Sequence, residues 1–414
     1  MSGRRLAASL LTVPTALGAC TPSGPAPTDP TPATTTASTD VAGAPWWEGS
    51  AVCELEPSVT LARTMAQRWS PPKSAGVRDI VAHAPVSPEG WMFTEERGSK
   101  LNGASMWNVR TGEHRVIRRF KGSATYQAAG GFDGEHVLWV ETHGLESFDD
   151  FAIYLYDLAS GTNRHLGDNE TDAAGNPYVS PLDAPVVHEG IGAWVQGTGP
   201  GGERTVKVVD LETGTVRDAY TGYVNGVRFL GDDLMLTMGN WTRRLYDTRT
   251  LQEKDPPAGL SRFNGRVMVT FGDDGSVAYT NDNSDDSAPY TELWFAPSLT
   301  KPAHLVLRLP TDHGLQSAPD ITPSGIVYPT DGHGSFYLDR ATGNTVRITD
   351  AQYYFVADDR VVTLDAAIDK AARTTSLRVF SLPSSIMGGC PQRSPQPQPT
   401  GPSTVRPATT SSAD

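Results

Sequence analysis

Two kinds of segment, each built from apolar and polar residues in a fixed order, recur along most of this chain. In the first, an apolar strand ends at an acidic or polar residue, then a turn rich in Thr and Gly leads into a returning strand, as in MWNVRTGEHRVI from Met106. The seven copies align 37 to 53 residues apart at Trp107, Tyr156, Val209, Tyr246, Trp294, Leu338 and Phe380. A β-rich run, a Gly-containing turn and a second run are typical of a β-hairpin. We therefore predict seven hairpins of this kind.

The second recurring segment falls between those hairpins. Apolar residues lead into a Gly/Asp turn and then into a strongly apolar strand, as in VSPEGWMFTE from Val86. Six further copies begin at Phe132, Val187, Leu230, Phe271, Ile321 and Val356. The two kinds of segment alternate without a break, and no helical periodicity of useful length intervenes. One pair of segments therefore predicts one four-stranded antiparallel unit.

An all-β architecture follows, because a single four-stranded unit cannot bury both of its faces and must stack on others. Radial stacking gives a β-propeller, which leaves few exposed sheet edges. The predicted blades are 77–120, 126–167, 181–220, 224–256, 263–309, 316–349 and 353–387. The short fourth and seventh units leave six or eight blades open. The rival fold, a pair of β-sandwiches, would not repeat two turn types in register. The candidate strand for closing the ring is 53–63.

The hairpin copies LYDLASG, VVDLETG and YLDRATG resemble bacterial propellers of the TolB-like and YVTN-like kind, as do the SPEG and DDG turns. The resemblance covers most of the body and rests on scaffold residues, so it implies a fold and not a function. This chain departs from true WD repeats, since it lacks their Gly-His and Trp-Asp pairing. It also departs at the acidic position in Trp107-Asn108 and Trp294-Phe295.

The N-terminus has the pattern of an export signal. Arg4 and Arg5 precede an uncharged apolar run over 6–17, which is too short to span a bilayer. The stretch Leu17-Gly18-Ala19-Cys20 resembles the lipobox of bacterial lipoproteins. That resemblance implies a signal peptide over 1–19, cut after Ala19, and a lipid on Cys20. We therefore expect an extracytoplasmic protein that is lipid-anchored to the bacterial cell membrane.

Low-complexity segments flank the predicted propeller, which occupies 46–390. The segment 20–45 is almost wholly Thr, Pro, Ala, Ser and Gly, and 391–414 has a similar Pro/Ser/Thr-rich composition. Such segments cannot bury enough apolar area to fold. We expect a flexible, lipid-anchored linker before the propeller and a disordered tail after it.

The two remaining cysteines lie at the two ends of the predicted propeller. If lipid occupies Cys20, then Cys53 and Cys390 form an even pair in an oxidising compartment. We predict a Cys53–Cys390 disulfide that latches the ring. A bridge closing so long a loop contributes up to about 5 kcal/mol in the chain-entropy model.

The net charge of the chain limits the classes of molecule that it can bind. The net charge is −13 and becomes −15 when Arg4 and Arg5 leave with the signal peptide. An acidic surface disfavours nucleic acid, because phosphate binding needs a cationic face. We expect a monomer, tethered to the membrane through Cys20, whose candidate partner is a protein or a cell-wall ligand.

A search for catalytic motifs assigns no catalytic residue, metal or cofactor. The chain has no G-x-S-x-G elbow, HExxH helix or phosphate-binding loop. Its nine histidines are spread over the blades, with His83 the candidate for the central channel and His313 and His333 a candidate pair. Acidic loops over 281–287, 146–150 and 167–172 carry oxygen ligands of the kind that calcium uses, without an EF-hand pattern.

Two functions remain open at this point. The first is a binding or scaffold module for a protein or cell-envelope ligand, with Trp46-Trp47 either packed on the propeller or exposed as a platform for sugar. The alternative is a glycan lyase or hydrolase whose site lies at the mouth of the channel. Converging His and carboxylate side chains would favour the enzyme, and a channel lined by Ala, Val and Ser would favour binding.

Overall fold

The computed structural model describes most of the predicted propeller in segments. Described residues are 67–69, 79–82, 86–97, 102–120, 127–142, 151–180, 184–265, 268–272, 274–280, 290–310, 318–323, 325–330, 334–340, 345–349, 354–357, 360–369 and 374–381. The export signal, the linker, Trp46-Trp47, all three cysteines and the tail lie outside the described residues, so their predicted roles stay predictions. No helix in the described part is long and apolar enough to cross a bilayer.

The described strands form seven four-stranded antiparallel sheets, numbered here as blades 1 to 7 along the chain. Blade 1 has β2 (Asp79–Ala82), β3 (Trp91–Arg97), β4 (Gly103–Asn108) and β5 (His114–Arg119); blade 2 has β6 (Gln127–Phe132), β7 (His136–Thr142), β8 (Phe151–Asp157) and β9 (Thr162–Asp168); blade 3 has β10 (Val186–His188), β11 (Ile191–Gly197), β12 (Arg204–Asp210) and β13 (Val216–Gly222).

The later blades follow the same order. Blade 4 has β14 (Val224–Leu230), β15 (Asp233–Met238), β16 (Arg243–Asp247) and β17 (Glu253–Lys254); blade 5 has β18 (Val269–Phe271), β19 (Val277–Thr280), β20 (Tyr290–Ala296) and β21 (His304–Pro310); blade 6 has β22 (Asp320–Ile321), β23 (Gly325–Thr330), β24 (Gly334–Asp339) and β25 (Thr345–Thr349); blade 7 has β26 (Tyr354–Ala357), β27 (Arg360–Asp369) and β28 (Thr374–Ser381). The predicted all-β, seven-bladed propeller is confirmed, with each sheet inside or close to its predicted bounds.

A strand from the N-terminal side of the fold completes blade 7. Strand β1 (Gln67–Trp69) pairs antiparallel with β28, with Gln67 opposite Val379 and Trp69 opposite Leu377. The predicted closing strand, 53–63, lies outside the described residues, and among the described ones the N-terminal strand that completes blade 7 is Gln67–Trp69. Three residues suffice because β28 already pairs with β27 on its other edge.

The core consists of apolar layers between consecutive blades. Separate buried clusters join blades 1 and 2, 2 and 3, 3 and 4, 4 and 5, and 5 and 6. The aligned residues Trp107, Tyr156, Val209, Tyr246 and Leu338 are buried as the repeat predicts. Each blade therefore depends on its neighbours to cover its faces, which is the physical basis of radial stacking.

The recurring acidic or polar residue caps the turn after it. Asp157, Asp210 and Asp247 each accept a hydrogen bond from the backbone N–H three residues later, at 2.7 to 2.8 Å. That hydrogen bond is the main reason why the pKa of each carboxyl lies below its ordinary value. Asn108 stands at the same position in blade 1, and its Oδ1 accepts the equivalent hydrogen bond from the N–H of Thr111 at 3.0 Å. The turn is therefore capped in the same way although the residue is not an acid.

Arginines on the outer strands tie the first four blades together. Each follows the outer turn of its blade and donates to a backbone carbonyl in the outer turn of the next blade: Arg115 to Leu158 at 2.6 Å, Arg164 to Thr213 at 2.7 Å, and Arg217 to Arg249 at 2.6 Å. These contacts add a polar rim to the apolar layers.

Candidate functional site

The antiparallel order of each blade divides the connections between two faces of the ring. We call one end of the ring the tight-turn face. It carries the turns that join the first strand of each blade to the second and the third strand to the fourth. Connections from the second to the third strand, and from one blade to the next, lie at the other end, here the long-loop face. Propeller ligands are held by such connections because a rigid scaffold positions them.

The first strand of each blade lies nearest the channel. These strands carry small and apolar residues, such as Ala129, Gly130 and Val187. Their charged or imidazole side chains, within the described residues, are Asp79, His188, Arg228 and Asp320, which belong to four different blades.

One group of His and carboxylate side chains does meet at the channel mouth on the tight-turn face. His188 ends the inner strand of blade 3, Glu189 follows in its turn, and Asp232 lies in the equivalent turn of blade 4. Their ligand atoms all lie within 4.8 Å of one another. His188 Nε2 is 3.7 Å from Asp232 Oδ1, and the imidazole packs on the ring of Phe229 with centroids 5.3 Å apart.

This group was not among the sites predicted from the sequence. The signal was available in the aligned turns HEG and GDD, since equivalent turns of neighbouring blades lie at the same end of a propeller. What the alignment could not show is that these two turns bring their side chains within a few ångströms.

A second concentration of polar groups is buried within blade 1. Glu96 is 1% exposed, and its Oε1 lies 2.6 Å from His114 Nε2 and accepts from Ser105 Oγ at 2.5 Å and Trp107 Nε1 at 2.9 Å. The His114 and Trp107 rings stack at 3.9 Å. Burial would raise the pKa of Glu96, but the hydrogen bonds, led by that from His114, outweigh burial and lower it.

The buried Glu96 group is best explained as structural. Its side chains lie on the face of blade 1 away from blade 2, because the opposite face supplies Phe93 and Met106 to the cluster shared with blade 2. A buried carboxylate surrounded by donors stabilises a fold only while all of its partners are present.

The other histidines in the described part of the chain do not group with one another. His165 pairs with Asp168 at 2.8 Å on the exposed outer edge of blade 2, and His136 lies 3.7 Å from Asp133. His304 is partly buried, and burial lowers its pKa. The channel candidate His83, the pair His313 and His333, and His143 lie outside the described residues.

The acidic loop 167–172 is a closed turn and not an open ligand set. The Asp172 carboxylate accepts hydrogen bonds from the backbone N–H groups of Ala174 and Asn176 and from the Asn176 side chain, all at 2.8 to 2.9 Å. These bonds lower the pKa of Asp172, with the Asn176 side chain contributing most. The loops 146–150 and 281–287 lie outside the described residues.

The long-loop face exposes apolar side chains over blades 3 and 4. Tyr223 is 63% exposed and Val179 is 56% exposed, which makes them the two most exposed large apolar side chains described. Tyr223 lies in the connection between blades 3 and 4, and its carbonyl accepts a hydrogen bond from the N–H of Gly239. Its hydroxyl lies close to Gly201, since a Cβ atom added at Gly201 would be 3.6 Å from it. Trp241, beside Gly239, is half-buried and has a positive φ of 60°.

Comparison with known proteins supports the fold. No family model matches this chain, and no curated protein matches it either. An oligogalacturonate lyase in complex with manganese aligns with a TM-score of 0.50 and 10% identity over 78% of this chain and 97% of that chain. The β-propeller domain of the Trilobed protease from Pyrococcus furiosus aligns with a TM-score of 0.49 and 11% identity over 73% of this chain and 94% of that chain.

The similar structures also include TolB from Acinetobacter baumannii, with a TM-score of 0.38 and 13% identity over 72% of this chain and 63% of that chain. TolB is thus among the solved propellers that this chain is similar to. At these identities the likenesses show a shared fold and carry nothing about activity. The lipobox and the YVTN-like resemblance stay predictions.

Proposed function

We propose that this protein is a lipid-anchored, extracytoplasmic β-propeller that binds a protein or cell-envelope ligand on its long-loop face. The observation that carries the proposal is that Tyr223 and Val179, the two most exposed large apolar side chains described, both lie in connections on the long-loop face, as does the half-buried Trp241. Exposed apolar groups that cluster on loops, and Tyr and Trp in particular, are typical of binding surfaces.

The scaffold beneath Tyr223 suits this role. Tyr223 lies between two blades that share a buried apolar layer, so its backbone is held on both sides. A preorganised aromatic side chain loses little conformational entropy when a ligand binds. The charge of −13 favours ligands that are neutral or cationic where they meet the ring.

Replacing Tyr223 by Ala should weaken ligand binding about tenfold or more, because a Tyr at the centre of an interface contributes more than 1 kcal/mol. The measurement has two arms: co-sedimentation of the full chain with purified cell-wall material, and photo-crosslinking in cells from an unnatural residue at position 223. Val116 is the matched control, since it is 41% exposed on the outer strand of blade 1.

A saturable interaction that is lost with Tyr223→Ala and kept with Val116→Ala supports the proposal. Equal behaviour of the two variants in both arms would contradict it.

The second candidate function is an enzyme acting on glycans, favoured by His188 and two carboxylates at the channel mouth. Soluble fragments released from the cell wall by the native chain, and not by Asp232→Asn, would favour that candidate instead.

The proposed disulfide would secure the ring that carries these side chains. Cys53 precedes β1 by fourteen residues, and Cys390 follows β28 by nine. Because β1 and β28 are antiparallel, the chain enters β1 and leaves β28 at the same end of the pair. Chain geometry is therefore compatible with a covalent link across the closure.

Cys53→Ser should lower the free energy of unfolding by about 2–5 kcal/mol under oxidising conditions, and treatment with reductant should lower that of the native chain by the same amount. Urea unfolding measures the loss, and peptide mapping without reductant identifies the bridge. The Cys53→Ser variant is its own control, since reductant should leave it unchanged. A native chain that carries two free thiols and is insensitive to reductant would rule the latch out.

A further inference from the structure

The group His188, Glu189 and Asp232 is placed for metal coordination. We propose that these three side chains bind a divalent transition-metal ion such as Zn²⁺ between blades 3 and 4. The site lies on the tight-turn face, so it is separate from the proposed ligand surface on the long-loop face. The inference goes beyond the proposed function and does not depend on it.

The first argument is the spacing of the ligand atoms. His188 Nε2 and Asp232 Oδ1 are 3.7 Å apart, which is too long for a hydrogen bond. Two ligands that each lie about 2.0–2.2 Å from one metal ion stand roughly 3–4 Å apart. The third ligand atom, on Glu189, lies within 4.8 Å of both. Rotation of the exposed Glu189 and Asp232 side chains is enough to complete the coordination.

The second argument is the fixed orientation of the imidazole. The His188 side chain is 26% exposed, and its ring packs on Phe229 of blade 4. This contact holds the ring across the boundary between the blades, with Nε2 towards Asp232, whose side chain is 86% exposed. A ligand held by packing and a second ligand free to adjust are the usual elements of a solvent-accessible metal site.

The carboxylates in other acidic turns on the same face have structural partners, unlike those of this group. Asp133 accepts hydrogen bonds from the backbone N–H groups of Glu135 and His136, and Asp274 pairs with Arg340 at 3.1 Å. Asp233 pairs with Lys254 at 2.7 Å. Each of those carboxylates has a structural partner.

The carboxylates of Glu189 and Asp232 differ in this respect. Within the described part of the chain neither side chain accepts a hydrogen bond, and the approach of Asp232 to His188 is the one ion pair recorded for either. Two exposed carboxylates beside an imidazole Nε2 form an electrostatic and geometric match for a cation. The structural roles seen in neighbouring turns do not account for them.

The chemistry of the three ligands selects the class of metal. One imidazole nitrogen and two carboxylate oxygens suit Zn²⁺ and its first-row neighbours, whereas Ca²⁺ prefers six or more oxygen ligands. With three protein ligands, the remaining coordination positions are open to water or to a ligand group. The proposal is therefore for an open site and not for a closed structural one.

The test titrates the full-length chain in detergent, after treatment with a chelator, with Zn²⁺, Mn²⁺ and Ca²⁺ by calorimetry. Asp232→Asn and His188→Gln should each weaken Zn²⁺ binding at least tenfold. His165→Gln is the matched control, because His165 is also an exposed-edge histidine beside a carboxylate, Asp168, and should leave the affinity unchanged.

A second measurement on the native chain needs no variant. Zn²⁺ should protect His188, and not His165, from acylation by diethyl pyrocarbonate, as located by mass spectrometry of peptides. This readout distinguishes the proposed site from metal binding elsewhere on the chain. Absence of Zn²⁺ binding, unchanged affinity in Asp232→Asn, unprotected His188, or binding of Ca²⁺ in preference to Zn²⁺ would each overturn the proposal.

Discussion

Glu96→Ala should lower the free energy of unfolding by about 3–5 kcal/mol. The substitution removes a buried carboxylate that accepts from Ser105 Oγ and Trp107 Nε1 and lies 2.6 Å from His114 Nε2. Donors that are left without a partner inside a protein keep their full desolvation penalty. The truncated side chain also leaves a cavity beside the stacked Trp107 and His114 rings.

Urea unfolding at neutral pH measures this loss. Glu113→Ala is the matched control, since Glu113 also belongs to blade 1 but forms an exposed ion pair with Arg115 at 2.8 Å. Exposed pairs contribute less than about 1 kcal/mol. Glu96→Gln, which keeps the shape and one acceptor, should fall between the two. Equal losses for Glu96→Ala and Glu113→Ala would show that the buried group does not stabilise the blade.

The same group predicts a pH dependence with a definite sign. Because the folded state lowers the pKa of Glu96, the stabilisation is complete above the unfolded value and is lost as the pH falls through the folded value. The native chain should therefore lose more stability than Glu96→Gln on acidification below 4.5, the ordinary value for this carboxyl.

Cys20→Ser should move the protein almost completely from the membrane fraction to the soluble fraction of the cell envelope. Two or more acyl chains hold a protein stably at a membrane, whereas a chain without lipid has only the weak attraction of its surface. Fractionation followed by immunoblotting measures the distribution.

Cys53→Ser is the matched control for this experiment, because it also removes one thiol but leaves the lipobox intact. It should stay with the membrane. Mass spectrometry of the native chain should find the mature N-terminus at Cys20 with added acyl mass. An uncut chain with an unmodified Cys20 would contradict the lipid anchor.

The arrangement of the blades could be predicted because it depends on local chemistry. The repeat of strand, polar cap and Gly turn encodes each hairpin, and Asp157, Asp210 and Asp247 act in the structure as the turn caps that their positions suggest. The closing strand could not be assigned in the same way. Strand β1 has three residues and no turn of its own, and pairing with β28, more than 300 positions later in the chain, defines it.

The Glu96 group and the pair of His188 and Asp232 also depend on contacts that could not be predicted from the repeat. Glu96 lies in a strand that reads as apolar, and its burial depends on donors from two neighbouring strands. His188 and Asp232 are 44 residues apart and belong to different blades. Their approach depends on the angle and stagger between blades, which no pattern within one repeat contains.

The sequence by itself determined the all-β class and the repeat of four-stranded units, favoured seven blades over six or eight, and contains no familiar catalytic motif. Each of these is encoded by composition or by contacts within about forty residues. Only the tertiary structure decided which described strand completes blade 7 and which carboxylates meet His188. Those features arise between repeats, where packing of whole blades sets the distances and local propensity has no influence.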